Sequence, residues 1–147
     1  MSSPKSLVRV LVVDDFEPFR RFIISRLQTK RELQVICDVS DGLEAVRKAE
    51  ELQPDLILLD IGLPSKSGIE AARHIRNLAP QSKIIFVSQE VSADVVQEAL
   101  ALGALGYVVK TSAGSDILAA VEAVIHNRKF VSSTLAHFNF TRSYVAF

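Results

Sequence analysis

Cysteine, long apolar runs and a signal-peptide core are scarce or missing in this chain, and each shortage excludes a class of protein. A single cysteine, Cys37, cannot form an internal disulfide, which favours a reducing compartment. No apolar run approaches the roughly 20 residues that span a bilayer. Residues 1–6 are not followed by the apolar core of a signal peptide. We therefore expect a cytoplasmic chain without a membrane partner.

A surplus of charge of either sign is also missing. The 147 residues include 17 Lys+Arg and 17 Asp+Glu, so the formal net charge is zero. A neutral chain gives no electrostatic reason to expect nucleic acid as its main partner, and we expect no DNA binding by this chain alone. Its apolar content of 48% is enough for a packed core.

Short apolar runs alternate with segments of helical periodicity, and this alternation predicts βα repeats around a parallel sheet. Asp41, Ser67 and Ser92 each stand where a helix N-cap is expected. We predict an α/β fold of the (βα)5, doubly wound, flavodoxin-like class, with a five-stranded parallel sheet in the order 2-1-3-4-5. The five runs are 7–13, 34–39, 55–59, 83–87 and 106–109.

The predicted repeat ends near residue 127, which divides the chain into two unequal parts. We assign residues 1–127 to one domain. Residues 128–147 carry no strong helical stripe, and we interpret them as a linker-like C-terminal tail.

Polar residues follow four of the five apolar runs. Asp14 and Asp15 follow the first, Asp60 the third, Ser88 the fourth and Lys110 the fifth. Because parallel strands end at the same edge of a sheet, we expect these side chains to lie together. Two carboxylates ~4 Å apart repel by about 4 kcal/mol at an effective dielectric of ~20, so the cluster needs a proton or a cation. Mg²⁺ suits such oxygen ligands, and the set predicts magnesium-assisted phosphoryl chemistry.

The chain resembles the receiver domains of two-component response regulators over about residues 7–127. The resemblance depends on an ordered set of motifs rather than on one of them. The motifs LLDIGLP at 58–64 and GYVVK at 106–110 are most similar to those of receivers that carry a helix-turn-helix output domain. This similarity implies a place upstream of transcription regulation. The motifs are VVDD at 12–15, LLDIGLP at 58–64, Ser67-Gly68, Ser88 and GYVVK at 106–110.

The resemblance implies a phosphorylation site and a metal site that share one residue. Asp60 would accept a phosphoryl group from a sensor histidine kinase or a phosphotransfer protein, as an acyl phosphate. Asp15 and Asp60 would bind Mg²⁺ directly, Asp14 through water, and Gly62 through its backbone carbonyl. Such a protein catalyses transfer of the phosphoryl group to its own aspartate, and the resemblance allows it to hydrolyse that acyl phosphate as an autophosphatase. It is not a turnover enzyme. The resemblance also allows a homodimer.

Three further residues receive roles from the same resemblance. Lys110 would pair with the phosphoryl group, and Ser88 would donate a hydrogen bond to it. Tyr107 would reorient as Ser88 moves, which makes these two residues the expected switch.

Three positions depart from the common receiver pattern. Thr111 stands where many receivers have proline. Gln89 stands where many have alanine or glycine, and its longer side chain is expected to narrow access to the phosphoryl group. Phe16 stands where the family is often polar, and it is expected either as a contact surface or as a partly buried ring.

Two other functions fit the same fold class. A magnesium-dependent aspartyl phosphatase would require Asp-x-Asp after the first strand, whereas Asp14 and Asp15 are adjacent. An FMN-binding flavodoxin-like carrier would require a first loop rich in Ser, Thr or Gly, and the acidic pair would repel its phosphate. Residues 128–136 resemble the connector to a DNA-binding domain, so both a stand-alone receiver and a piece of a longer regulator remain open.

Overall fold

Parallel strands alternate with helices through residues 7–135, the part of the chain that this computed structural model describes. The sheet order is β2-β1-β3-β4-β5-β6, and every strand pair is parallel. The predicted fold class and the order of the first five strands are confirmed. The elements are β1 (Val8–Val13), α1 (Glu17–Leu27), β2 (Leu33–Val39), α2 (Gly42–Leu52), β3 (Leu56–Leu59), α3 (Gly68–Leu78), β4 (Lys83–Ser88), α4 (Ala93–Ala101), β5 (Gly106–Val109), α5 (Ala113–Ile125) and β6 (Phe130–Val131).

The sequence did not predict β6, which extends the sheet beyond β5. Phe130 lies opposite Gly106 and Val131 lies opposite Tyr107. A short 3-10 helix, Ser133–Leu135, then buries Leu135 in the core. Two residues are too few for a strand period to be visible in the sequence. The start of the predicted tail thus adds to the sheet, whereas its residues 136–147 lie outside the described part of the chain.

The predicted N-caps determine where three of the helices begin. The side chains of Asp41, Ser67 and Ser92 each accept a hydrogen bond from the backbone N–H three residues later, at 2.8, 3.2 and 3.3 Å. At the other end of α4, Gly103 adopts a φ of +95°, a left-handed conformation that glycine tolerates without strain.

Helices cover both faces of the sheet, so the strands are buried on both sides. Along β3, Ile57 and Leu59 join the core formed with α2, α3 and α4. Leu56 and Leu58 join the second core, formed with α1 and α5. This double burial explains why the strands are apolar without alternation. It also leaves the ends of the strands as the place where polar side chains can meet.

Candidate functional site

Three carboxylates meet at the carboxyl ends of the neighbouring strands β1 and β3. One oxygen from each of Asp14, Asp15 and Asp60 lies within 4.8 Å of the others. Asp14 and Asp60 are only 3% and 5% exposed, whereas Asp15 is exposed. The sheet holds the backbones of Asp14 and Asp60, whose N–H groups donate to the carbonyls of Val39 and Val13, each at 3.1 Å. The predicted acidic cluster is therefore present at the predicted edge.

Lys110 brings the positive charge to this cluster from the residue after β5. Its Nζ lies 2.7 Å from Asp14 Oδ2 and 3.0 Å from Asp60 Oδ2. The same Nζ lies 4.7 Å from the centroid of the Phe19 ring. Burial acts to lower the pKa of Lys110, but the hydrogen bonds to Asp14 and Asp60 outweigh it and raise the pKa above its ordinary value. Lys110 is therefore a stable cation between two carboxylates.

The second oxygen of Asp60 is held by the loop that follows β3. Asp60 Oδ1 accepts hydrogen bonds from the N–H groups of Ile61 at 2.7 Å and Gly62 at 3.4 Å. The start of α3 packs directly behind this loop, and a Cβ on Gly68 would overlap the carbonyl oxygen of Asp60 and lie 2.7 Å from the Cα of Ile61. Glycine at position 68 thus permits the close approach that supports Asp60.

The donor set fits a small divalent cation. Burial is the main cause that raises the pKa of Asp14, and the hydrogen bonds from Lys110 and from the N–H of Phe16 oppose it only in part. One lysine does not neutralise three carboxylates. Oxygen ligands with room for water are what Mg²⁺ prefers, so the Asp14, Asp15 and Asp60 cluster could hold that ion.

Ser88 and Tyr107 lie on neighbouring strands, and both bind the backbone of Glu90. Ser88 is buried at the end of β4, and its Oγ accepts a hydrogen bond from the Glu90 N–H at 3.2 Å. Tyr107 is fully buried on β5, and its hydroxyl donates to the Glu90 carbonyl at 2.8 Å. Burial raises the pKa of Tyr107 far above its ordinary value. The loop between β4 and α4 is therefore bonded to both of the predicted switch residues.

The site opens to solvent through a cleft of about 780 Å³. Most of the predicted site residues line it, whereas the buried Asp14 and Tyr107 do not. Phe16 is 61% exposed where it lines the cleft, so its ring is not the partly buried ring of the second alternative, and the contact surface stays a prediction. The lining residues are Asp15, Phe16, Pro18, Phe19, Phe22, Asp60, Gly62, Ser88, Gln89, Glu90, Lys110 and Thr111.

Two residues in the first half of α1 contact the site, although the sequence did not predict a site role for them. Phe19 contacts the Lys110 ammonium through its ring. Arg20 donates from Nη1 to the backbone carbonyl of Asp14 at 2.7 Å and from Nε to Asp38 at 2.7 Å. The position of these two residues in the sequence could have revealed them, because a helix that begins just after Asp14 and Asp15 places its first two turns beside them.

The match to known families agrees with this geometry. The model of the response regulator receiver domain matches residues 10–122. Transcriptional regulatory protein LiaR of Bacillus subtilis (strain 168) is 35% identical over 130 residues, which are 88% of this chain and 62% of that protein. Response regulator protein VraR of Staphylococcus epidermidis is 38% identical over 114 residues, which are 78% of this chain and 54% of that protein. The chain thus spans little more than half the length of these relatives.

Solved structures give the same result. A LuxR-family two-component response regulator from Aurantimonas sp. SI85-9A1 matches with a TM-score of 0.86 and 29% identity, over 95% of this chain and 99% of that one. The signal receiver domain of the response regulator NarL from Mycobacterium tuberculosis matches with a TM-score of 0.79 and 28% identity, over 84% and 99% of the two chains.

Proposed function

This chain belongs to the response regulator receiver family, and from that premise we propose that Asp60 is its phosphoacceptor. The chain contains the receiver domain of a two-component response regulator, a domain that is generally not a turnover enzyme. The observation that supports the assignment is the buried Asp60 carboxylate, bonded to Lys110 at 3.0 Å beside two further carboxylates. No specific observation favours the aspartyl phosphatase or the flavin carrier over the receiver.

The chemistry that we propose requires little beyond positioning and charge neutralisation. An oxygen of Asp60 attacks the phosphorus of a phosphohistidine. The new P–O bond forms as the P–N bond breaks, and the departing imidazole nitrogen keeps the electron pair. Lys110, already within 3.0 Å of Asp60, offsets the negative charge that arrives with the phosphoryl group. The product is an acyl phosphate, which water can hydrolyse in an autophosphatase step.

Magnesium belongs to the same proposal. Asp15 and Asp60 would bind the ion directly, Asp14 through water and Gly62 through its carbonyl oxygen. Bound Mg²⁺ would neutralise charge on the phosphoryl oxygens. The proximity of the three carboxylates and the exposure of Asp15 to the cleft support this assignment.

We further propose that Ser88 and Tyr107 report the phosphoryl group to the surface. A phosphoryl oxygen on Asp60 would attract the Ser88 hydroxyl, which now accepts from the Glu90 N–H. The Glu90 carbonyl holds Tyr107, so a shift in this loop would free the ring. Phosphorylation would thereby alter the β4–α4 loop and the face beside β5.

Membership of the family supports our proposals for the partners and the setting of this chain. We propose that the phosphoryl donor is a sensor histidine kinase or a phosphotransfer protein. We also propose that the chain can form a homodimer, that it is cytoplasmic, and that it acts upstream of transcription regulation. Between residues 7 and 135, no helix combines the length and apolar character of a membrane span. We also propose that residues 1–127 form the receiver domain and that 128–147 form a linker-like C-terminal tail, whose first residues pair with β5 as strand β6.

Labelling with a small phosphodonor tests the phosphoacceptor. Incubation with acetyl phosphate and Mg²⁺ should add one phosphate per chain, measured by intact mass. Asp60→Asn should abolish the added mass. Asp55→Asn, at the opposite end of β3, is the matched control and should label as the unmodified chain does. Full labelling of Asp60→Asn, or no labelling of the unmodified chain, would overturn the proposal.

A further inference from the structure

The Lys110 ammonium has an aromatic contact that neither Mg²⁺ binding nor the acyl phosphate requires. Its Nζ lies 4.7 Å from the centroid of the Phe19 ring, within the range of a cation–π interaction. Phe19 is half-buried on α1, and the Phe22 ring lies 6.1 Å away between centroids. The Phe19 ring therefore has an aromatic neighbour, and it borders the same cleft as Lys110.

The other two contacts of this ammonium are with carboxylates that have competing ligands. Nζ binds Asp14 at 2.7 Å and Asp60 at 3.0 Å. In the proposed function both carboxylates also serve Mg²⁺, and Asp60 receives the phosphoryl group. A lysine side chain has four methylene groups and can leave a site whose anions are taken by other cations. The face of a phenyl ring binds neither Mg²⁺ in water nor a phosphate, so its attraction for the ammonium persists.

We propose that Phe19 is a positioning residue that keeps the Lys110 ammonium beside Asp60 while Mg²⁺ and the phosphoryl group engage the carboxylates. This inference rests on the proposed role of Asp60. Phe19 acts through Lys110 and contacts no reacting atom. Its contribution is greatest during phosphoryl transfer, when Lys110 shares its carboxylates with the metal.

Substitutions that remove only the aromatic face test the proposal. Phe19→Leu and Phe19→Met keep apolar volume but lose the ring, and Phe19→Tyr keeps it. With acetyl phosphate and saturating Mg²⁺, both ringless variants should label about three- to tenfold more slowly than the unmodified chain, and Phe19→Tyr should stay within about twofold. Phe130→Leu is the matched control, because Phe130 is also half-buried against the α1–α5 core but lies on β6.

A second measurement separates positioning from support of the fold. Mg²⁺ affinity, followed by the amide NMR signals of Asp15 and Asp60, should be unchanged or tighter in the ringless variants. Weaker Mg²⁺ binding in parallel with slower labelling would indicate a structural role and overturn the proposal.

The labelling rates have two further outcomes that contradict it. Ringless variants as fast as the unmodified chain would overturn it, and so would a Phe19→Tyr variant as slow as Phe19→Leu. An unmodified chain that takes no phosphate is a different result, since it refutes the phosphoacceptor assignment itself and the inference with it.

Discussion

Asp14 and Asp15 are neighbours in sequence, yet their surroundings differ. Asp14 is 3% exposed and bonded to Lys110 at 2.7 Å, whereas Asp15 faces the cleft. The sequence predicted that both carboxylates belong to the site. The division between a buried and an exposed carboxylate depends on how the chain turns from β1 into α1.

This difference predicts unequal roles in metal binding. Asp15→Ala should weaken Mg²⁺ binding more than Asp14→Ala, because Asp15 is the accessible ligand and Asp14 is already bonded to Lys110. Burial raises the pKa of Asp14 above its ordinary value of 3.8, so Mg²⁺ affinity should increase as pH rises through that raised pKa. This part of the pH dependence should disappear in Asp14→Ala. An NMR titration with MgCl₂ measures both effects, and equal losses or no divalent binding would refute the assignment.

Ser88 should couple phosphorylation to conformation without being required for the chemistry. A hydrogen bond to a charged group contributes ~1.5–3 kcal/mol. Moving an equilibrium from 1:99 to 99:1 requires about 5.5 kcal/mol, so Lys110 and Tyr107 must supply the rest. Ser88→Ala should still accept phosphate at Asp60 but populate the active conformation roughly ten- to a hundredfold less.

The measurement for Ser88→Ala is the change in amide shifts of α4 and β5 on adding beryllofluoride and Mg²⁺. Ser115→Ala, which removes an exposed hydroxyl on α5, is the control. A full response in Ser88→Ala would show that another residue couples the site. Complete loss of phosphorylation would assign the hydroxyl to the chemistry.

At the scale of elements, the sequence predicted those features that repeat or have a local cap. Five strands, their order and three N-caps follow from apolar runs and from single polar residues. β6 did not follow, because its two residues depend on pairing with β5 rather than on a pattern of their own. The contacts of Glu90 with Ser88 and Tyr107 did not follow either, since a loop backbone leaves no sequence signal.

Ser132 connects β6 to the rest of the sheet, and its position was also invisible in the sequence. Its N–H donates to the Tyr107 carbonyl at 3.0 Å. Its buried Oγ accepts from the Val109 N–H at 3.0 Å and donates to Asp116 Oδ2 at 2.8 Å. The segment after α5 is thus bonded to the strand that carries the predicted switch residue and ends before Lys110.

Loss of this hydroxyl should destabilise the fold measurably. Ser132→Ala leaves the buried Val109 N–H without its acceptor, and we expect a decrease of about 1–3 kcal/mol in the free energy of unfolding. Ser133→Ala, at the adjacent exposed position, should change it by less than about 0.5 kcal/mol. Urea denaturation measures both changes, provided that the free energy of unfolding depends on urea concentration with the same slope in each variant. If Ser132→Ala matched the control, the bonds of Ser132 would not stabilise β6.

At the scale of the whole molecule, the site follows from the topology. Because parallel strands end at one edge of the sheet, the sequence alone predicted that five polar side chains lie together there. They are Asp14, Asp15, Asp60, Ser88 and Lys110. The sequence could not place Phe19 beside Lys110 or Arg20 beside Asp14, because those contacts depend on the angle at which α1 packs on the sheet. The relatives extend further, since this chain covers 62% of LiaR.

The chain by itself should not recognise a DNA sequence. Its formal net charge is zero, and within residues 7–135 the five α-helices all belong to the (βα)5 unit. At ~150 mM salt, where weak phosphate contacts are largely screened, we expect no sequence-dependent retardation of duplex DNA. Pools of random duplexes, with and without beryllofluoride, provide the assay. Selection of one sequence from the pool would contradict this expectation.

The central claim is that Asp60, and no other carboxylate, receives the phosphoryl group. Borohydride reduces an acyl phosphate to an alcohol and would convert phosphorylated aspartate into homoserine. After labelling with acetyl phosphate and Mg²⁺, reduction and proteolysis, peptide mass spectrometry should find homoserine at position 60 and aspartate at positions 14 and 15. Homoserine at position 14 or 15, or aspartate at all three positions in a chain that has gained phosphate, would contradict the account.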